Sequence, residues 1–222
     1  MESGPAPAET RIVLVRHAQA VCNVRGSFAG HAGCSGLTAA GRDHCAAVAR
    51  RLAELYPGPL VLMSSVMPRA AQTADAIAAA LGIEGCVPRR CGLCERHPGS
   101  LEGTANDTVR EMAESGTLPP DVETREAFLL RARRELRRVA KAHAGRTVVT
   151  VTHEGVIAAS FWAYGGVPAR LPFRLQSGWG SVTEWSSTAG EPGQWFLRRY
   201  NDTPPMRGAS REPEEAGYGA GS

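Results

Sequence analysis

Two histidines and two arginines in this chain stand at or just beyond the ends of short apolar runs, a placement suited to holding an anion and attacking it. Ile12-Val13-Leu14-Val15 leads into Arg16-His17, and Thr147-Val148-Val149-Thr150-Val151-Thr152 leads into His153-Glu154-Gly155. Leu60-Val61-Leu62-Met63 leads into Ser64-Ser65, with Arg69 four residues on. The planar fork of arginine matches the oxygens of a phosphate, and a neutral imidazole can act as nucleophile. His31, His44, His97 and His143 follow no such run and read as ordinary surface or core residues.

Mostly β-branched runs of this length read as buried parallel strands, and in open α/β sheets ligands bind outside the carboxyl ends of the strands. If the three strands are neighbours, their terminal groups share one pocket. Between them the pattern turns helical. Thr38 is placed to cap a helix with Val48, Leu52 and Leu55 on its apolar face, stopped by Tyr56-Pro57-Gly58-Pro59. Pro68 opens a second helix, running to about Leu81 with Gly82 at its end. Cys86 to Leu93 is a weaker, strand-like stretch, and Asp107 to Ser115 a short helix. Arg125 to Ala142 is a long helix whose Arg131, Arg134, Arg138 and Lys141 read as a solvated face. A short helix near Val156 to Trp162 precedes two last strands, Ser181 to Trp185 and Gln194 to Tyr200. Strands alternating with helices indicate an α/β fold with a mostly parallel sheet. Ala18 to Gly36, Glu95 to Pro120 and Gly165 to Gly180 are the loops expected over the pocket, with Trp162, Phe173 and Trp179 as possible walls.

The chain has 222 residues, 43% of them apolar and 21% charged, as in an ordinary globular domain. Its net charge of +3 rises to +6 when the slightly acidic stretches 1–10 and 204–222 are set aside, a balance that favours small acidic substrates. No nucleic-acid signature and no membrane-length apolar run is present, and with no leader-like start the expected location is the cytoplasm. Residues 1–10 and 204–222 are rich in Pro, Ala, Gly and Glu and read as disordered arms around a single domain, 11–203. The six cysteines, at 22, 34, 45, 86, 91 and 94, read as free thiols. Cys86, Cys91, Cys94 and His97 have spacings that four zinc ligands could have, but one Cys-x-x-Cys without a second pair is a weak signal.

Arg16-His17-Ala18 followed by Asn23 and Phe28-Ala29-Gly30 resembles the signature of the histidine phosphatase superfamily. Further motifs follow in the same order: Leu37-Thr38-Ala39-Ala40-Gly41; Ser64-Ser65 with Arg69-Ala70 and Gln72-Thr73-Ala74; and Leu93-Cys94-Glu95-Arg96-His97 with Gly99, Leu101, Glu102 and Gly103. His153-Glu154-Gly155 and Asn201-Asp202-Thr203 complete the set. The resemblance implies a three-layer sandwich of the phosphoglycerate mutase type. It implies a phosphatase acting on a small phosphorylated metabolite through a phosphohistidine on His17, with Glu95 as proton donor and Arg16, Arg69 and His153 around the phosphoryl group. Asn23, Gly30, Glu154 and Gly155 would bind substrate, and neither metal nor other cofactor is implied. Glu102 and Glu154 are the other candidate acids.

The chain also departs from the family pattern. Ala18 stands where the family has glycine, which costs about 1 kcal/mol if the position needs positive φ and would crowd the phosphate. It is the one sequence feature that points to the alternative of a non-catalytic phosphate-binding module. Another alternative, a phosphoglycerate-type mutase, would need added positive charge after the acid motif, yet Thr104 to Asp121 offers only Arg110.

Overall fold

The computed structural model describes residues 8–169, 173–188 and 194–204. Strands β1 (Thr10–Arg16), β2 (Leu60–Ser64), β3 (Thr147–Thr152), β4 (Val182–Ser187) and β5 (Phe196–Asp202) form one sheet in the order β2-β3-β1-β4-β5. The first three are parallel neighbours, while β4 adds antiparallel to β1 and β5 antiparallel to β4. The helices are α1 (Val21–Val24), α2 (Ala39–Leu55), α3 (Pro68–Leu81), α4 (Asn106–Glu114), α5 (Arg125–Ala142) and α6 (Glu154–Ala163).

Side chains alternate across a strand, so each central strand feeds two cores. Ile12, Leu14 and Val148 pack with Leu136 and Val139 of α5 and Val156 and Ile157 of α6. Val13, Val15, Val149 and Val151 pack on the opposite face with Val48 and Leu52 of α2 and Ala70, Ala74 and Ile77 of α3. The result is the expected three-layer sandwich, its helices sealing both faces of strands too apolar to meet water. The Thr38 hydroxyl caps α2 by accepting from the Gly41 N–H at 2.9 Å. Gly41 is required by crowding, since a Cβ there would lie 2.1 Å from the Gln19 carbonyl oxygen in the loop after β1. Helix α3 starts on Pro68 and ends at Gly82, with φ of 65°.

Several expectations need correction. The 86–93 stretch is no strand of the sheet: it makes one bridge, Ser64 to Arg89, and then winds into a 3₁₀ turn at Cys91–Leu93. Pro88 lacks the N–H that a continuing ladder needs. Thr10, read as part of a disordered arm, is buried in β1; residues 1–7, 170–172, 189–193 and 205–222 lie outside the described set. Arg131 leaves the solvated face of α5, because its guanidinium pairs with Glu123 at 2.7 Å and donates to the carbonyls of Cys91, Gly92, Cys94 and Glu95. Helix α6 begins earlier than its apolar pattern suggests, directly after His153. Among the described residues, no helix is long and apolar enough to cross a membrane.

Candidate active site

Strand register assembles the site. Arg16 pairs with Thr152, so His17 and His153 are the next residues on adjacent parallel strands, and their rings lie 5.1 Å apart. Ser64 pairs with Val151 on the other side of β3, which puts Ser65 alongside. The first turn of α3 then lowers Arg69 onto His17, its Nε–H donating to His17 Nε2 at 3.1 Å and its Nη1 to the Ala29 carbonyl at 2.9 Å. Arg16 donates to the Ser177 carbonyl and pairs with Glu154 at 3.3 Å. Arg16, His17, Arg69 and His153 are all buried.

His17 Nδ1 lies 2.8 Å from the Ala18 carbonyl, an acceptor, so the proton resides on Nδ1 and the Nε2 lone pair receives Arg69. That tautomer leaves Nε2 as the nucleophilic atom. Burial, reinforced by Arg69 and Arg16, holds the His17 imidazole well below the ordinary histidine range, and burial with Arg69, His17 and Arg16 does the same to His153. Both rings are therefore neutral at neutral pH. The unfolded chain, whose histidines titrate near 6.5, binds more protons than the folded one between that value and the depressed ones, so stability must fall as pH falls through this window. Urea unfolding in phosphate-free buffer is expected to show a decline of up to about 1.4 kcal/mol per pH unit for each of the two rings. His17→Asn should remove its share of that slope.

Glu95 follows the 3₁₀ turn and reaches the same cavity, its carboxylate accepting from the Gly155 N–H and the Arg96 N–H, each at 3.0 Å. A Cβ on Gly155 would lie 2.3 Å from Glu95 Oε1 and 2.8 Å from Phe128, so only glycine allows this approach. Gly155 lines the cavity as expected, and the bond its amide makes orients Glu95. The other candidate acids have partners of their own. Glu102 accepts from the amides of Gly30 and Gly33, clamping the 18–36 loop, and Glu154 pairs with Arg16. Gly30, expected at the substrate, thus contributes to the clamp, while Asn23 lines the cavity and accepts from the Ala20 N–H at 3.1 Å.

Ala18 has no positive φ, since Asn201 is the one non-glycine residue with positive φ among those described. Its methyl belongs to a cluster of small buried residues with Ala20, Cys22 and Ala29, and its amide donates to Thr73 Oγ1 at 3.1 Å. Neither the backbone cost nor the crowding expected for alanine arises.

The cavity holds about 500 Å³. Arg16 and His17 reach it from the end of β1 and Arg69 from the first turn of α3; Phe28, Val109, Phe128, Trp162 and Phe173 give it apolar walls, drawn from the three expected loops and from α5 and α6. Trp179 is buried instead, with the Arg16 guanidinium 6.0 Å from its ring centre. Arg96, Arg110, Arg125 and Arg174 also line it, against Glu95 and Glu154, and of these sequence reading weighed only Arg110 as a source of charge. Three of these lie outside the 104–121 segment in which positive charge was sought, so that segment's poverty in bases does not describe the cavity. Asn201 holds the 176–178 loop against it, accepting from the Gly178 N–H at 2.6 Å.

The chain matches the family model of the histidine phosphatase superfamily (branch 1) over residues 12–203. It is 31% identical to a metal-independent phosphoserine phosphatase of Arabidopsis thaliana over 163 residues, covering 68% of this chain and 67% of that one. A mycobacterial glucosyl-3-phosphoglycerate phosphatase structure superposes with a TM-score of 0.73 at 27% identity, covering 87% of this chain and 99% of the other. A phosphoglycerate mutase from Bacillus anthracis superposes with a TM-score of 0.74 at 17% identity, covering 89% and 95%, and shares the fold.

Proposed function

We propose that this chain, which belongs to the histidine phosphatase superfamily, hydrolyses a small phosphomonoester carrying a second anionic group, by way of a phosphohistidine on His17. The observation that carries the reading is a neutral, buried His17 whose Nε2 lone pair faces Arg69 in a cavity shared with Arg16 and Glu95. Nε2 attacks phosphorus in line with the ester oxygen, the P–O bond breaks, and Glu95 gives its proton to the departing alkoxide. Water then attacks the phosphohistidine, passing a proton to the Glu95 carboxylate, and inorganic phosphate leaves. Charge on the transferring oxygens is held by Arg16 and Arg69. His153 Nδ1 is buried without a hydrogen-bond partner, and on taking up a proton when the phosphoryl group binds it would donate to the same oxygens.

The second anionic group is argued from Arg96 and Arg125, which line the cavity in addition to Arg16 and Arg69; Arg110 also lines it, paired with Asp107 at 2.6 Å. The named phosphatase relatives act on phosphoserine and on glucosyl-3-phosphoglycerate, a choice compatible with a carboxylate beside the ester. The same arginines keep a mutase as the second reading, since they suit a bisphosphorylated intermediate as well. Phosphate release from a panel of phosphorylated hydroxy acids, amino acids and sugars, with no divalent ion added, tests both. Release fastest from the carboxylate-bearing esters is expected, unchanged by Mg²⁺. Isomerised ester without free phosphate would establish the mutase, and a requirement for Mg²⁺ would overturn the mechanism.

A further inference from the structure

Outside the cavity, four side chains of metal-binding chemistry converge: His31 from the loop after β1, and Cys91, Cys94 and His97 from the segment that carries Glu95. Their ligand atoms all lie within 4.8 Å of one another. Cys94 Sγ is 3.4 Å from His31 Nε2, and Cys91 Sγ is 3.7 Å from His97 Nε2 and 3.9 Å from His31 Nε2. A tetrahedral zinc with Zn–S of about 2.3 Å and Zn–N of about 2.0–2.1 Å requires sulfur–nitrogen separations of about 3.5–3.6 Å. The observed spacings bracket that value. Local structure explains the convergence: the 3₁₀ turn at Cys91–Leu93, closed by the Cys94 N–H on the Cys91 carbonyl at 3.0 Å, brings both thiols near the two imidazoles. The Glu102 clamp on Gly30 and Gly33 brings His31 to meet them.

The surroundings are those of a metal centre as well. Histidine ligands typically turn the other ring nitrogen toward a carboxylate, which fixes the tautomer. His97 Nδ1 lies 4.0 Å from Glu123 Oε2, while its Nε2 faces Cys91. The Ser65 hydroxyl donates to Cys94 Sγ at 3.3 Å, as expected beside a thiolate. Arg131, paired with Glu123, gathers the carbonyls of Cys91, Gly92 and Cys94 and so fixes the backbone that presents both sulfurs.

We propose that His31, Cys91, Cys94 and His97 bind one zinc ion in a closed, four-ligand structural site at the rim of the active site. On binding, the two thiols lose their protons to solvent. None of the four lines the catalytic cavity, and four protein ligands leave no open position for substrate or water, so the ion holds structure and takes no part in phosphoryl transfer. It joins the loop carrying Asn23 and Ala29 to the segment carrying Glu95. Through Cys94 and Ser65, whose hydroxyl oxygen lies 2.8 Å from His153 Nε2, it also steadies the second histidine. The four-ligand set suggested by spacing alone is corrected at one place: Cys86 is exposed and outside the cluster, and His31 takes its position.

The test uses the full chain without a polyhistidine tag and does not depend on turnover, so its outcome is separate from that of the phosphatase reading. Elemental analysis should find one zinc per chain. Metal-free protein titrated with Co²⁺ should develop the intense visible and sulfur-to-cobalt charge-transfer bands of tetrahedral thiolate coordination, displaced one-for-one by Zn²⁺. Cys91→Ser and His31→Ala, both at exposed positions, should weaken zinc binding by at least about 100-fold while circular dichroism stays native. Cys86→Ser should bind as the parent does. Absence of zinc together with absence of the cobalt bands would overturn the proposal, as would loss of metal in Cys86→Ser with retention in His31→Ala.

Discussion

Replacing His17 by alanine is expected to lower turnover on the order of 10⁴-fold or more, the scale seen when a covalent nucleophile is removed from an otherwise intact site. The fold should survive, because the ring sits at a strand end against a cavity and its hydrogen bonds are to the Ala18 carbonyl and Arg69 alone among the described residues. Arg69 keeps its bond to the Ala29 carbonyl. In the parent enzyme, rapid quenching with labelled substrate should trap phosphate that is stable to base and released by acid, the behaviour of a phosphorylated imidazole, and peptide mapping should place it on His17. The alanine variant should trap none. Substantial remaining activity, or a label on His153, would assign the nucleophile elsewhere.

The second large effect concerns Glu95. If its carboxyl protonates the leaving group, loss of that proton matters for a poor leaving group and hardly at all for one that departs as a stable anion. General acid catalysis contributes about 10² to 10⁴ in rate, so Glu95→Gln should lose a factor of that order on an alkyl phosphate and far less on an aryl phosphate. Phosphoenzyme formation from the aryl ester should persist. Equal losses on both would mean that Glu95 positions or binds. The structure narrows the fallback, since Glu102 holds the amides of Gly30 and Gly33 while Glu154 lines the same cavity.

What the sequence made legible follows from how local each signal is. His17, His153 and Ser65 could be found because a strand's apolar run and the residue after it are consecutive in the chain. Arg69 could be found because Pro68 marks the helix start that delivers it. Glu95 has no such periodic context and was reached through the family resemblance; the contact that positions it, the Gly155 amide, is 60 residues away. The cavity's further arginines come from separate segments that only the fold brings together, so a charge count along one segment found Arg110 and missed Arg96, Arg125 and Arg174. His31 was set aside as an ordinary histidine for the same reason: its partners sit 60 and more positions downstream. Ala18 was misread in the opposite sense, because a residue type suggests a backbone conformation only where the backbone adopts it.

The order of the sheet also bears on how the protein folds. The histidine pair is created by β1 meeting β3, and in that ladder Arg11 lies beside Thr147, 136 positions along the chain. Closing so long a loop costs entropy before any contact repays it, and pairings of this range are slow. No shorter fragment of the chain contains both rings, so a phosphate ion has nothing to grip until the central strands have docked. The anion site is thus a late product of folding and cannot template it. A ligand bound there stabilises the finished protein by mass action alone, slowing its unfolding and leaving the speed of its folding unchanged.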